Sequence, residues 1–220
     1  MIRLLRAALI LCAVLAQPSV AQERIDTEGL RIRSEAGDKR ATRALAEAYY
    51  LGRGGVEQDF REAARWYRHL ASQGDARAQT SLGLMYANGL GFEKNLVEAR
   101  RWWSLAAAQN DAGAQHNLGM VFLAGQGVAP DPAHALHWFQ GAAKHGHVQS
   151  QRILGLMFYD GEGTAPDRLQ GLTWLTIAAE NGEELAQQTL KMLAERVDAE
   201  QLAQARAQAH EWLKENAATR

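Results

Sequence analysis

Residues 71–106 read ASQGDARAQTSLGLMYANGLGFEKNLVEARRWWSLA, and the landmarks of this stretch return along the chain at a fixed interval. Trp66, Trp102, Trp138 and Trp174 are each 36 residues apart, as are Leu82, Leu118 and Leu154 and the glycines Gly83, Gly119 and Gly155. A constant period of this size marks an array of stacked units rather than a single closed domain. Such an array contacts itself only between neighbours, so it presents a long surface instead of one enclosed site.

The spacing inside the stretch predicts two helices. Asp75 is placed to cap the first, whose apolar face is Ala78, Leu82, Met85 and Tyr86 at helical intervals. Gly89 and Gly91 stop it, because glycine takes the left-handed backbone at little cost. Asn95 opens the second helix, with Glu98 completing a capping box, and Ala99, Trp102, Ala106 and Ala107 form its inner stripe. Asp59 with Glu62, Asp131 before Pro132, and Asp167 with Gln170 repeat that start. Gly74, Asn110, Gly146 and Gly182 end the second helices, Asn being the best substitute for glycine there. Gly83 leaves a notch into which a neighbouring helix, with its periodic Trp, can approach closely.

Working outward, four such units are expected, at about residues 37–70, 71–106, 107–142 and 143–178, with a partial fifth at 179–193. The first unit sits 37 residues from the second up to Gly52 and 36 residues after Val56, so one extra residue belongs in the glycine loop, at Gly55. Residues 22–36 lead in, with Ile25, Leu30 and Ile32 as one apolar edge of a capping helix. Asp198 with Gln201 starts a final capping helix over 194–213, lined by Leu202, Ala205, Ala209 and Trp212, and residues 214–220 are expected to fray.

The repeated pattern, A-x-x-G-(D/N)-x-x-A-Q-x-x-L-G-x-x-(Y/F)-x-x-G-x-G and then (D/N)-x-x-x-A-x-x-W, resembles the Sel-one-like repeat (SLR), a relative of the tetratricopeptide repeat. The resemblance covers about residues 37–190 and implies an all-α fold: a right-handed solenoid superhelix of antiparallel helix pairs with terminal caps. It also implies a protein-binding role, often in envelope assembly, signalling or host contact. Some secreted members carry paired cysteines in each unit, and a few are linked to β-lactam binding or hydrolysis. The only cysteine here is Cys12.

Composition sets the class. An apolar content of 47% suits a folded core, and a net charge of −1 gives no basic face for nucleic acid. Residues 1–21 resemble a cleaved secretory signal: Arg3 and Arg6 lead, Ala7 to Ala16 form an apolar run, and Ser19-Val20-Ala21 is a small-x-small cleavage site. The run is far shorter than the roughly 20 residues needed to span a bilayer. The mature protein is therefore expected in the periplasm or outside the cell, with no cysteine and no stable membrane anchor.

Little in the chain reads as chemistry. Gly89-Leu90-Gly91, Gly125-Gln126-Gly127 and Gly161-Glu162-Gly163 follow helices and lack the lysine of a phosphate loop. His134 with His137, and His145 with His147 around Gly146, are too few to converge as metal ligands. No G-x-S-x-G or S-x-x-K motif occurs. No catalytic residue, metal or cofactor is expected.

What remains is a surface. If the first helices line the inner curve, three rows of non-core positions face a partner: Arg43, Thr80, His116 and Arg152; then Leu84, Met120 and Leu156; then Ala87, Leu123 and Tyr159. Within these, Arg43, Thr80, His116, Arg152, Met120, Leu123 and Tyr159 are the candidate partner-binding residues, for an extended peptide or helix of another protein of the envelope. The expected function is a non-enzymatic scaffold. The alternatives are a cell-wall-active enzyme or β-lactam-binding protein of the cysteine-rich type, or a glycan-binding module marked by exposed Trp. Mass spectrometry of the protein exported from its native host should find Gln22 at the mature N-terminus; an intact Met1 would contradict the signal reading.

Overall fold

A computed structural model describes residues 25–217. The signal, its cleavage site after Ala21, Cys12 and the last three residues lie outside the described residues. Eleven helices and no strands make up the described part: α1 (Thr27–Glu35), α2 (Lys39–Leu51), α3 (Phe60–Ser72), α4 (Ala76–Asn88), α5 (Leu96–Ala107), α6 (Ala112–Ala124), α7 (Pro132–Lys144), α8 (Val148–Asp160), α9 (Arg168–Glu180), α10 (Glu184–Ala194) and α11 (Ala199–Glu215). Helices pair as α2/α3, α4/α5, α6/α7 and α8/α9, and each second helix then packs on the first helix of the following unit. The result is a helical solenoid of four hairpins.

Local chemistry sets the hairpins. Gly52, Gly89, Gly125 and Gly161 end the first helices in the left-handed conformation. The loop after α2 spans 52–59, one residue longer than the 89–95 loop after α4, as the shift in period at Gly55 requires. Asn95 caps α5 by accepting from the amides of Val97 and Glu98. The return arm of the capping box is absent, because the Asn95 amide donates instead to the carbonyl of Tyr86 on α4. Asp59, Asp131 and Asp167 do the same to Tyr49, Phe122 and Phe158. This bond crosses the hairpin and fixes its loop, and it uses the donor that Glu98 would have taken. Glu98 pairs with Arg101 instead. Asn110, at φ 63°, is the one non-glycine residue with positive φ among those described.

The notch is real, but its occupant differs from the periodic Trp. A Cβ on Gly83 would collide with the Trp103 ring, one on Gly119 with Phe139, and one on Gly155 with Leu175. These three continue a row of period 36 that starts at Tyr67, one residue beyond the Trp row, and Tyr67 shares a core cluster with Ala46. Trp103, Phe139 and Leu175 are all buried. Trp102, Trp138 and Trp174 are only half-buried. Each lies against the apolar cluster of the unit before it, so this row seals units against one another while the next row closes each hairpin.

The ends also differ from expectation in detail. Leu30 packs on the first core cluster and Ile25 donates its amide to the Gly54 carbonyl, but Ile32 is 59% exposed and takes no part in the edge. At the far end Ala186 is buried and Leu190 joins the last cluster, in register with the repeat. Helix α11 does not close a fifth hairpin. It packs on α9, where Trp212 meets Trp174 edge to face at 5.2 Å. Asp198 is its N-cap residue but makes no side-chain cap bond, and the helix runs past Leu213 to Glu215.

The register of the two rows is testable. Phe139 has no solvent exposure, so Phe139→Ala should cost about 3–5 kcal/mol in urea unfolding. The half-buried Trp138→Ala should cost clearly less, and the reverse order would return the periodic Trp to the hairpin core.

Candidate interaction surface

The four polar residues of the first row form a set of joints. Arg43 on α2 pairs with Asp75, the N-cap of α4. Thr80 on α4 donates to Oδ1 of Asp111, the N-cap of α6, at 2.9 Å. Arg152 on α8 donates to Oε1 of Glu183, the N-cap of α10, at 3.2 Å. His116 on α6 shares a 2.8 Å hydrogen bond with Ser150 Oγ and stacks on His147, the N-cap of α8, with ring centres 4.3 Å apart. Each cap thus serves two partners. Asp75, Asp111 and Glu183 accept from an amide of their own helix (Ala78, Ala114 and Ala186) and from the unit before. The polar heads of Arg43, Thr80, His116 and Arg152 are therefore engaged in holding units together. Their partners recur in the sequence about one unit further on, yet sequence alone gives no sign that the two rows meet.

A second network runs deeper. Gln79, Gln115 and Gln151 are buried, and each donates to a carbonyl of the preceding second helix: Ala71, Ala107 and Ala143. Gln109 then donates to Gln79 Oε1 at 2.9 Å and Asn181 to Gln151 Oε1 at 2.8 Å. These glutamines are the Gln of the repeat pattern; Gln79 and Gln151 each join three segments of the array, and Gln115 joins two. A buried amide left unpaired would cost more than its hydrogen bonds return.

The apolar rows are less occupied. Leu84 is 38% exposed and Met120 37% exposed, whereas Leu156 packs on the last core cluster. In the third row Ala87 and Leu123 pack partly on the second and third clusters. Tyr159 is half-buried, its ring 5.7 Å from the Arg168 guanidinium. Leu84 and Met120 are the exposed members of the two rows.

Beyond the stacked pair His116 and His147, the histidines make local contacts. His134 pairs with Asp131 at 2.6 Å and stacks on Phe122, while His137 lies against Trp138. No group of three or more His, Cys, Asp or Glu residues that could hold a metal ion occurs among the described residues, nor is any described helix long and apolar enough to cross a membrane.

These features define a class: helix-hairpin repeats whose equivalent positions build the array and leave a ribbon of first-helix surface. The Sel1 repeat model matches residues 39–75, 76–111, 112–147 and 148–183, more than half of the chain. This chain belongs to the Sel1 repeat family. It is similar to an SLR-fold protective antigen present in uropathogenic Escherichia coli, at 33% identity and a TM-score of 0.78, over 86% of this chain and 40% of that one. A Sel1 repeat protein from Oxalobacter formigenes is also 33% identical, with a TM-score of 0.69, over 76% of this chain and 48% of that one. Among curated proteins, the ERAD-associated E3 ubiquitin-protein ligase component HRD3A of Arabidopsis thaliana is 45% identical over 58 residues, 26% of this chain and 8% of that protein. The chain thus spans less than half of the length of each of these relatives.

The third joint carries a pH dependence. His116 is held down to about 4 from an ordinary 6.5, first by burial and then by the neighbouring His147 and Arg152. His147 is also lowered, mainly by burial, against the opposing pull of Asp111. With folded values below unfolded ones, the unfolded chain takes up protons first as pH falls. The stability of this joint is complete above about 6.5 and is lost as pH drops toward 4. Thermal melts should fall across that window. The decline should shrink in His147→Asp, which places beside His116 the anionic cap found at Asp75 and Asp111. An identical decline in the variant would contradict the assignment.

Proposed function

We propose that this chain is a non-enzymatic scaffold that holds a partner protein along its first-helix surface, in the periplasm or the secreted space. Sel1 repeat architecture supports the reading, since extended arrays bind by surface rather than by an enclosed cleft. HRD3A, a relative by 58 residues, is a component of a larger assembly by its name. The observation that carries the proposal is the exposure of Leu84 and Met120 on successive first helices, with Tyr159 further along. Leu84 and Met120 are large side chains at positions that the joints do not use.

An amphipathic helix or extended segment of another envelope protein would lay apolar side chains along that ribbon. The signal-like start at residues 1–21 supports an exported setting. The lack, among the described residues, of any group of three or more acids and histidines in one place favours binding over catalysis.

Site-specific photo-crosslinking in native envelopes tests this directly. A photoreactive residue at Met120 should trap one discrete partner. A control at Val97, exposed on the second helix of its hairpin, should not. Adding Leu84→Glu should remove the Met120 product at an unchanged melting temperature. Equal products from both positions, or a Met120 product indifferent to Leu84→Glu, would refute the surface.

A further inference from the structure

The stack has two ends, and they are finished differently. At the N-terminal end α1 takes the place of a preceding unit. Arg33 pairs with Asp38, the N-cap of α2, at 2.6 Å, and Ser34 shares a 2.7 Å hydrogen bond with Thr42. At the other end α10 is a first helix in register. Its Ala186 is buried, and Gln187 donates to the Ala179 carbonyl as Gln79 does to that of Ala71. Among the described residues no further first helix stacks on α10, and α11 packs on α9. The side that α8 turns to α10, through Arg152 and Leu156, is thus repeated on α10 with no unit to meet it. Gln188 and Met192 are the equivalents of Arg152 and Leu156, and both are exposed.

This open face is more apolar than the end of an array requires. Met192 is 63% exposed and Leu185 53%. Leu185 stands where the preceding units have Arg77, Gly113 and Gln149, so the repeat does not ask for an apolar residue there. The two lie seven residues apart, two turns along one side of α10, with Gln188 between them. Glu184 and Lys191, of opposite charge, have the same seven-residue spacing on the flank of that stripe, and both are exposed.

The pattern is complementary to itself when reversed. Laid antiparallel across a two-fold axis near Gln188, one α10 sets Leu185 against Met192 of the second copy and Glu184 against Lys191 of the second copy. Each contact then occurs twice, as an isologous interface requires. A parallel pairing would set like charges together. A head-to-tail join is closed off, because Arg33 already fills the Asp38 cap.

We infer that α10 is the interface of an end-to-end homodimer, with a second copy of this chain as the occupant of the open face. A helix of 11 residues, about 16 Å long, makes a small interface, so the pairing is reversible and depends on concentration. The inference stands apart from the proposed partner ribbon, since it needs no other protein and no role for Leu84 or Met120.

Sedimentation equilibrium across the micromolar to millimolar range tests it, on the full chain expressed with its own residues 1–21 and purified after export. The chain should pass from monomer to dimer and no further. Met192→Glu should weaken the pairing about tenfold or more. Glu184→Lys and Lys191→Glu should each weaken it too, by setting like charges face to face. The double reversal, Glu184→Lys with Lys191→Glu, should restore it to within about threefold of the wild type. Melting temperatures at concentrations where the monomer prevails should match the wild type, because all three positions are exposed. A monomer at every concentration would overturn the inference. So would a dimer indifferent to Met192→Glu, a double reversal no better than either single change, or assemblies larger than two. A monomer that a photoreactive residue at Met192 links to a different protein would give the face to that protein and end the self-pairing reading. Loss of the Met120 crosslink leaves dimer formation untouched, so the two readings fail separately.

Discussion

The array depends on N-cap side chains that serve two helices at once. A helix start leaves backbone amides without partners, and a side-chain oxygen usually answers one of them. In this chain Asp75, Asp111 and Glu183 answer an amide of their own helix and also hold a side chain from the preceding unit. The cap is therefore also the joint. A unit that lost its first turn would lose its grip on its neighbour, which ties local helix formation to stacking. That coupling suits a protein whose units cannot bury their own apolar faces alone.

The period was plainly legible in the sequence, and with it the hairpins, the glycine C-caps, the extra loop residue and the left-handed Asn110. The phase was not. Trp102 and Trp103 both belong to rows that recur every 36 residues, and periodicity cannot say which of two adjacent rows faces inward. What decides is the partner: Gly83 lacks a side chain where Trp103 enters, and that pairing lies across the hairpin. The same limit applies to the row of Arg43, Thr80, His116 and Arg152. Its polar, repeated character reads equally well as a recognition surface or as a set of joints. The difference lies in the caps it reaches, 31 or 32 residues away for Arg43, Thr80 and Arg152. At the C-terminal end the partial fifth unit and the capping helix were legible, but not where the cap docks: α11 follows Trp212 onto Trp174 of α9 rather than packing on α10.

Departures from the repeat gather around the third unit. His147 replaces the acidic cap, His145 replaces the amide that would close the glutamine network, and Gly141 replaces a large apolar residue. Each weakens a contact that neighbouring units make. In an array with nearest-neighbour energetics, weak steps are where units can separate or where surface becomes free for a ligand.

A double-mutant cycle on Arg152 and Glu183 tests the two-handed cap most directly. Arg152→Ala, Glu183→Ala and the double variant would be unfolded in urea beside the wild type. The account predicts a coupling of about 0.5 kcal/mol or more between residues 31 apart in sequence, because either single change empties the same joint. Additivity within about 0.3 kcal/mol would mean that Glu183 caps its own helix alone, and would remove the joint from the explanation of stacking.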